Sequence, residues 1–344
     1  MNAPILIWGA GAIGGTVGAY LIRAGVDVLF VDQAADHVAA LNANGLAIEG
    51  PIDTFTVPAR AVVPDSLEGT FPTVWLCTKA QHTERATRQL APHLAPGGHV
   101  LSLQNGLNEL AIGEIVGPEN TLGAFVNFGS DYLGPGRVLF GGRAAVVVGE
   151  LDGRETVRLV ETHRLLSIFE PNAVMTSEIW GYLWGKLGYG ALLFATALTD
   201  DSIAEVLDRR VYRPMLTALA RELTELAAEQ GVAPKGFNGY DPAAFRAGAD
   251  PAKTDASFDA MVAHNRTSAK SHSGIWRDLA VRKRKTEVDP QLTRPIAIGA
   301  EAGRPMPLTR RLVALIQDIE NGRRSLSWDT LDALNETFAE SAST

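Results

Sequence analysis

Lys186 stands in the stretch WGYLWGKLGYG, among Trp180, Tyr182, Trp184 and Tyr189 and with little other charge nearby. Apolar surroundings disfavour an ammonium ion, so a lysine placed there is drawn toward the range in which it exchanges a proton with a reacting oxygen. The same lysine also fits a simpler role, snorkelling out of an otherwise buried helix. Glu287, in RDLAVRKRKTEVD, is a second acid–base candidate and equally an ordinary surface acid. The run from Arg282 to Lys285 before it reads as a solvated helix face. Upstream, TSAKSHSGIW gathers Thr267, Ser268, Lys270, Ser271, His272 and Ser273, a polar set able to hold a carboxylate. The 7 histidines show no metal-binding spacing and the 1 cysteine, Cys77, lies in an apolar run, so no metal is expected.

A second group of residues binds rather than reacts. ILIWGAGAIGG, Ile5 to Gly15, places Gly9, Gly11 and Gly14 in the G-x-G-x-x-G spacing. Ile5–Trp8 reads as a buried strand, and Thr16–Ala24 as a helix ended by Gly25. The first glycine permits a tight turn and the second lets backbone approach a pyrophosphate. The third lets helix and strand pack closely, with Ala12 and Ile13 at the helix start facing the phosphates. VDVLFVD follows as a second strand ending at Asp32, which completes a dinucleotide-binding fingerprint. A carboxylate at that strand end accepts from the ribose 2'-OH of NAD and repels a 2'-phosphate. No arginine or lysine follows before Arg60. NAD is therefore the expected cofactor and NADP the less favoured one, although Asp32 could also simply cap the helix predicted near QAADHVAAL.

Strand-like runs recur beyond this unit, among them TVWLCTK, HVLSLQNG, TLGAFVNF and RAAVVVGE, with helical stretches such as HTERATRQLAPHL between them. This alternation predicts an α/β domain with a parallel sheet, of the Rossmann type given the fingerprint. Around Ser177 the character changes to long helical segments, including the amphipathic MLTALARELTELAAEQG. The expected organisation is a Rossmann domain over 1–177, an all-helical domain over 178–330 that carries the substrate and dimerisation surfaces, and a tail over 331–344. A cleft between two such domains is the default active site. The 344 residues suit two domains, and 46% hydrophobic with 20% charged residues suits a folded chain. A net charge of −8 argues against nucleic acid or an anionic membrane surface as partner. No apolar run is long enough to cross a bilayer and the first residues lack a secretory pattern, so the expectation is a cytoplasmic protein with a small-molecule partner.

ILIWGAGAIGG, LCTKAQHTE, LSLQNGLNE, IWGYLWGKL and RKRKTEVD follow one another in the order and spacing of the ketopantoate reductases, which the chain resembles from about Ile5 to about Ile316. The resemblance implies Lys186 as general acid for ketone reduction and Glu287 as the group that orients substrate and lysine. It implies Asn105 beside the nicotinamide ribose and substrate, Lys79 lining the same site, and a homodimer. The family pattern places asparagines four and eight residues after the lysine; here those positions are Gly190 and Phe194, with Tyr189 beside them. The stretch before Glu287 is one residue longer than the pattern, which leaves both Ser271 and Ser273 open as the carboxylate-binding serine. Most members use NADPH and carry a basic residue after the second strand, where this chain has Asp32 and Gln33. The resulting expectation is an NAD-dependent oxidoreductase that passes hydride between nicotinamide and a small hydroxy or oxo acid. The alternatives are a true 2-dehydropantoate 2-reductase with relaxed cofactor use and a non-catalytic NAD-binding redox sensor.

Overall fold

The computed structural model describes residues 3–268 and 271–341. The chain divides into two compact units, Met1–Ile179 and Trp180–Thr344.

The first unit runs β1 (Ile5–Trp8), α1 (Ala12–Arg23), β2 (Val28–Val31), α2 (Ala35–Asn44), β3 (Leu46–Glu49), β4 (Phe55–Val57), β5 (Ala61–Val62) and β6 (Phe71–Leu76). It continues with α3 (Thr83–Leu90), β7 (Leu94–Ser102), α4 (Asn108–Val116), β8 (Thr121–Val126), β9 (Gly129–Gly134), β10 (Arg137–Gly142), β11 (Val146–Glu150), α5 (Val157–Phe169) and β12 (Val174–Met175). The main sheet has eight strands in the order β12-β11-β8-β7-β6-β1-β2-β5. It is parallel except between β8 and β11. β1 sits inside it, hydrogen-bonded to β2 on one side and β6 on the other, and all four of its residues are buried. An apolar strand covered on both faces needs no alternation of polar residues, which is why ILIW can serve here.

A second sheet was not foreseen. It has four strands in the order β4-β3-β10-β9. β9, GSDYLG, is partly to fully exposed along its length, so it carries none of the apolar signal that marks the main-sheet strands. This sheet contacts α1, where Thr16 Oγ1 lies 2.7 Å from Ser130 Oγ and Ser130 also donates to the Ala12 carbonyl at 3.0 Å. The Tyr20 ring of α1 meets Phe55, Phe140 and Phe169 edge-on, with centroids 5.2, 5.8 and 5.3 Å away. One helix thus joins the two sheets through aromatic edges and a hydroxyl pair.

The second unit comprises α6 (Ile179–Thr196, beginning at the boundary), α7 (Ile203–Asp208), α8 (Arg213–Glu229), α9 (Pro251–Thr267), α10 (Gly274–Trp276), α11 (Val288–Glu301), α12 (Pro307–Glu320) and α13 (Trp328–Ser341). Directly after α10, Arg277–Val281 forms a π turn, with Arg282 N–H donating to the Arg277 carbonyl at 2.9 Å. A π turn holds one residue more than an α turn closed by the i−4 bond. Arg213 is buried on α8 and binds Asp255 and Asp259 of α9 at 3.0 and 2.6 Å. Glu222 of α8 receives the N–H groups of Leu308 and Thr309 at 2.9 and 2.8 Å and so caps α12. The tail expected from residue 331 is corrected: Leu331 and Leu334 are fully buried within α13. Trp328 stacks on Tyr212 at 5.5 Å, and the Tyr212 hydroxyl donates to Asp332 at 2.7 Å. Polar residues on the outward face of α13 hid this packing in the sequence.

His99 on β7 is buried, and its Nε2 has no hydrogen-bond partner. Burial pushes its pKa down to about 4 from an ordinary 6.5, with the Arg158 charge adding to the effect. Between those values the unfolded chain takes up a proton that the folded chain refuses, so stability should fall as pH drops from about 6.5 toward 4. His99→Leu should flatten that part of a Tm-versus-pH curve; a variant curve running parallel to the wild type would remove His99 as the cause.

Candidate active site

The glycine turn links β1 to α1 under close steric limits. Gly9 has φ +101°, and a Cβ there would lie 2.9 Å from the backbone at Cys77 and Thr78, just past β6. A Cβ on Gly14 would fall 2.0 Å from the Gly9 carbonyl oxygen. Gly11 behaves oppositely: a Cβ there would meet nothing within 4 Å. Gly11 is also the N-cap of α1 and offers no side-chain acceptor to the first-turn N–H groups. Those groups, at Ala12, Ile13 and Gly14, have no partner inside the helix. Open space above unpartnered N–H donors fits a pyrophosphate.

Asp32 follows β2 and is half-buried. Ala10 N–H donates to its Oδ2 at 2.9 Å and Ala34 N–H to its Oδ1 at 3.0 Å. The carboxylate therefore holds the turn and the entry to α2 while each oxygen keeps a lone pair for a ribose hydroxyl. Asp32 is not the cap of α2, whose N-cap is Ala34 without a side-chain acceptor, and its bond to Ala34 N–H leaves room for the ribose role in this geometry. His37, 1% exposed, was missed. Its Nδ1 accepts from Gly136 N–H at 2.9 Å, which leaves the proton on Nε2 to donate to the Ala10 carbonyl at 3.0 Å. Its place four residues before Leu41, on the buried side of α2, was the available signal.

Lys79 is exposed just after β6. Asn105 lies in the loop before α4 and is half-exposed. A buried amide and hydroxyl network shapes that loop. Gln104 donates to the Thr78 carbonyl at 2.8 Å and to Thr83 Oγ1 at 2.9 Å. Thr83 donates to Asn108 Oδ1 at 2.9 Å, and Asn108 donates to the Asn105 carbonyl at 2.5 Å. Gln104 and Asn108 were not singled out in the sequence, although QNGLN contains both.

Lys186 sits on α6, a helix clasped on one side by the segment before α9. Lys235 N–H donates to the Gly181 carbonyl at 2.8 Å, and a Cβ on Gly185 would lie 2.0 Å from the Lys235 carbonyl oxygen. A Cβ on Gly188 would lie 2.5 Å from the Tyr240 hydroxyl. On another face Tyr182, Lys186, Gly190 and Leu193 are half-exposed, and a Cβ on Gly190 would meet nothing within 4 Å. Phe194 is 1% exposed and Tyr189 4%. Both side chains, expected at the substrate, are packed within the helical unit. At about 100° per residue, position 194 is ~80° round from Lys186, whereas 193 is within ~20° of it. The Tyr189 hydroxyl accepts from Asn265 at 2.9 Å, and burial raises its pKa.

Glu287, half-exposed, is the N-cap of α11. Thr286 before it is fixed by two 2.7 Å bonds, from N–H and Oγ1, to Glu320 of α12. Buried Asp278 in the π turn binds Arg282 at 3.0 Å and Arg284 at 2.9 Å, so that basic run shapes the approach to Glu287. Ser271 is exposed, with Oγ 2.8 Å from His272 Nδ1. Ser273 is buried, and its Oγ accepts from Trp276 N–H at 3.1 Å. Lys270 of the same polar set lies outside the described residues. Among the described residues no group of three or more His, Cys, Asp or Glu could hold a metal, and no helix is long and apolar enough to cross a membrane.

A largely parallel sheet with an open glycine turn at one strand end, followed by a helical unit, suits a dinucleotide-dependent enzyme, and the family matches make the class a nicotinamide-dinucleotide oxidoreductase acting on CH–OH groups. Residues 5–153 match the family profile described as Ketopantoate reductase PanE/ApbA, and residues 178–320 match its C-terminal companion. The chain belongs to the ketopantoate reductase family. It is 29% identical over 320 residues to a 2-dehydropantoate 2-reductase from Archaeoglobus fulgidus, covering 92% of this chain and 98% of that one. Among solved structures it is similar to a D-mandelate dehydrogenase with NADH and anilino(oxo)acetate (TM-score 0.80, 21% identity, 93% and 99% of the two chains). It is also similar to a 2-dehydropantoate 2-reductase from Geobacter metallireducens (TM-score 0.76, 25% identity, 91% and 99%).

Two glycine variants should separate packing from binding. Gly14→Ala forces backbone apart and should lower stability by about 1–3 kcal/mol, the usual cost of overpacking. Gly11→Ala should leave Tm nearly unchanged yet weaken NADH binding, because its Cβ enters the open space. Thermal melts with NADH titration read both; unaltered NADH affinity in Gly11→Ala would count against a phosphate at that place.

Proposed function

We propose that this chain is an NAD-preferring member of the family, with Lys186 as its general acid and base and a small hydroxy or oxo acid other than ketopantoate as its substrate. The observation that carries the substrate reading is the half-exposed face of α6, where a lysine is followed by a glycine with empty space beyond it.

Gly11, Ala12, Ile13 and Gly14 would hold the pyrophosphate on backbone N–H groups, and Asp32 the adenosine ribose. Asn105 would fix the nicotinamide ribose and the reacting oxygen, with Lys79 lining the same place. The bound cofactor supplies or accepts a hydride at its nicotinamide C4. In the reductive direction the Lys186 ammonium hydrogen-bonds the keto oxygen and gives it a proton as the carbon becomes a carbinol. In the oxidative direction neutral Lys186 takes the hydroxyl proton. Glu287 would pair with Lys186 or with a substrate hydroxyl. Ser271, the exposed serine of the pair, is better placed than Ser273 to meet the substrate carboxylate, since Ser273 already caps α10.

A buried substrate hydroxyl without a partner costs ~1–3 kcal/mol. The two positions where the family pattern has carboxamides hold Gly190 and the buried Phe194, and Leu193 lies on the lysine's face, so a hydroxylated substrate such as ketopantoate loses those partners. An apolar or bulkier side chain fits the space instead. This disfavours the plain 2-dehydropantoate 2-reductase reading. Retention of both Lys186 and Glu287 disfavours the sensor.

Lys186→Ala should lower kcat by roughly a hundredfold to ten-thousandfold, the range for loss of a general acid or base, with NADH affinity retained. The assay is a screen of small hydroxy acids with NAD followed by steady-state kinetics; full activity of the variant would remove Lys186 from the mechanism. Gly190→Asn alone should raise kcat/KM for ketopantoate, because Phe194 lies in the core and is left in place. A wild-type kcat/KM for ketopantoate and NADH at or above about 10⁴ M⁻¹s⁻¹, the ordinary enzyme range, would restore the plain family activity.

A further inference from the structure

Gln33, the residue after Asp32, is held from an unexpected direction. Arg85, in the first turn of α3, donates through Nη2 to Gln33 Oε1. Both side chains are exposed. In sequence they are 52 residues apart, and only the neighbouring of the β2 and β6 strand ends around β1 brings them together. The ending of β2 thus has a cation after all, although no arginine or lysine follows it in the chain before Arg60.

The two charges near this strand end are held differently. Asp32 is fixed by two backbone N–H donors. Arg85 is held at Gln33 by a neutral amide oxygen at an exposed place. A guanidinium binds a phosphate bidentately and more strongly than it binds an amide, so a phosphate displaces Gln33 from Arg85. The position where one would arrive is set by the fold: a carboxylate ending the second strand meets the adenosine ribose at its 2'-oxygen. Gln33 is the next residue, with its Cα about 3.8 Å along the chain.

We propose that Arg85 is a cofactor-specificity residue that admits a 2'-phosphate, so that Asp32 sets the preference for NAD(H) while Arg85 keeps NADP(H) as a second cofactor. The proposal rests on the reading of Asp32 as the ribose acceptor. It makes the preference a contest between one carboxylate and one guanidinium carried by different elements, rather than the property of the β2 ending alone.

Binding to the unliganded protein tests it without turnover. NADH, NADPH, 2',5'-ADP and 5'-AMP are titrated by calorimetry into the wild type, Arg85→Ala, Arg85→Lys and Gln33→Ala. Arg85→Ala should weaken NADPH and 2',5'-ADP by roughly tenfold or more, the scale of a charged hydrogen bond, and leave NADH and 5'-AMP within about twofold. Arg85→Lys should fall between, and Gln33→Ala should tighten 2',5'-ADP by freeing the guanidinium. Equal losses for NADH and NADPH, no loss for either, or a wild type that binds neither NADPH nor 2',5'-ADP would overturn the proposal. Should Arg85→Ala fail to fold, the lysine and Gln33 variants decide in the same terms. Tighter binding of NADPH than of NADH by the wild type would instead overturn the role given to Asp32, whichever way the Arg85 variants behave.

Discussion

The first unit depends on a contact between backbones. Gly14 lets the first turn of α1 close on the Gly9 carbonyl oxygen, which a single added carbon would overlap, and Gly9 lets the turn lie against the backbone just past β6. From that approach the rest of the nucleotide side follows. Ala10, between the glycines, is gripped from both ends, its N–H by Asp32 and its carbonyl by His37. Thr78, beneath Gly9, receives Gln104 and so ties the turn to the loop that carries Asn105. Residues far apart in sequence are placed with little freedom because each is bonded to the same few backbone groups.

The helical unit uses glycine in the same way. Gly181, Gly185 and Gly188 form a bare strip on α6 against which the segment around Lys235 and Tyr240 lies, with an inter-backbone hydrogen bond to fix its register. Pinning one side of a helix settles its rotation, and rotation decides which side chains remain accessible. Lys186 is one of them. Later in the chain Glu287 is set by anchors beside it, Thr286 on Glu320 and the Asp278 clamp on Arg282 and Arg284. The basic run before Glu287 is solvated, as its composition suggests, but it is not a helix face: it follows the π turn as irregular chain, and its two arginines clamp Asp278.

Much of this was legible in the sequence. The glycine spacing, the strand ending at Asp32 and the change of character near residue 177 carry local signals that a tertiary fold leaves intact. Other features depend on distant partners and were not legible. β9 has no apolar pattern because it is a half-exposed strand of a small sheet. Arg85 meets Gln33 only after two strand ends become neighbours. α13 looked like a tail because few of its residues face inward, yet Leu331 and Leu334 do. The burial of Tyr189 and Phe194 was not legible, because it depends on which side of α6 the rest of the unit covers. Over eight residues a helix drifts by ~80°, and only the seven-residue step returns near the start.

That drift bears on how such a site can change. Along α6 the family pattern reads substrate with side chains at steps of four, but only the first step stays on the lysine's face by helical geometry alone. The second reaches substrate only if the helix is turned or the ligand is wide. In this chain Phe194 has gone into the core, and Leu193 takes the accessible place. Under the proposed function Gly190 is a position where a new side chain would add a substrate contact, since the space beyond it is open while Gly185 and Gly188 face the Lys235 backbone and the Tyr240 hydroxyl. One residue type thus serves two opposite ends on one helix: absence of a side chain makes room for protein at Gly185 and leaves open space at Gly190. The sequence spells both as G, and only the phase of the helix tells them apart.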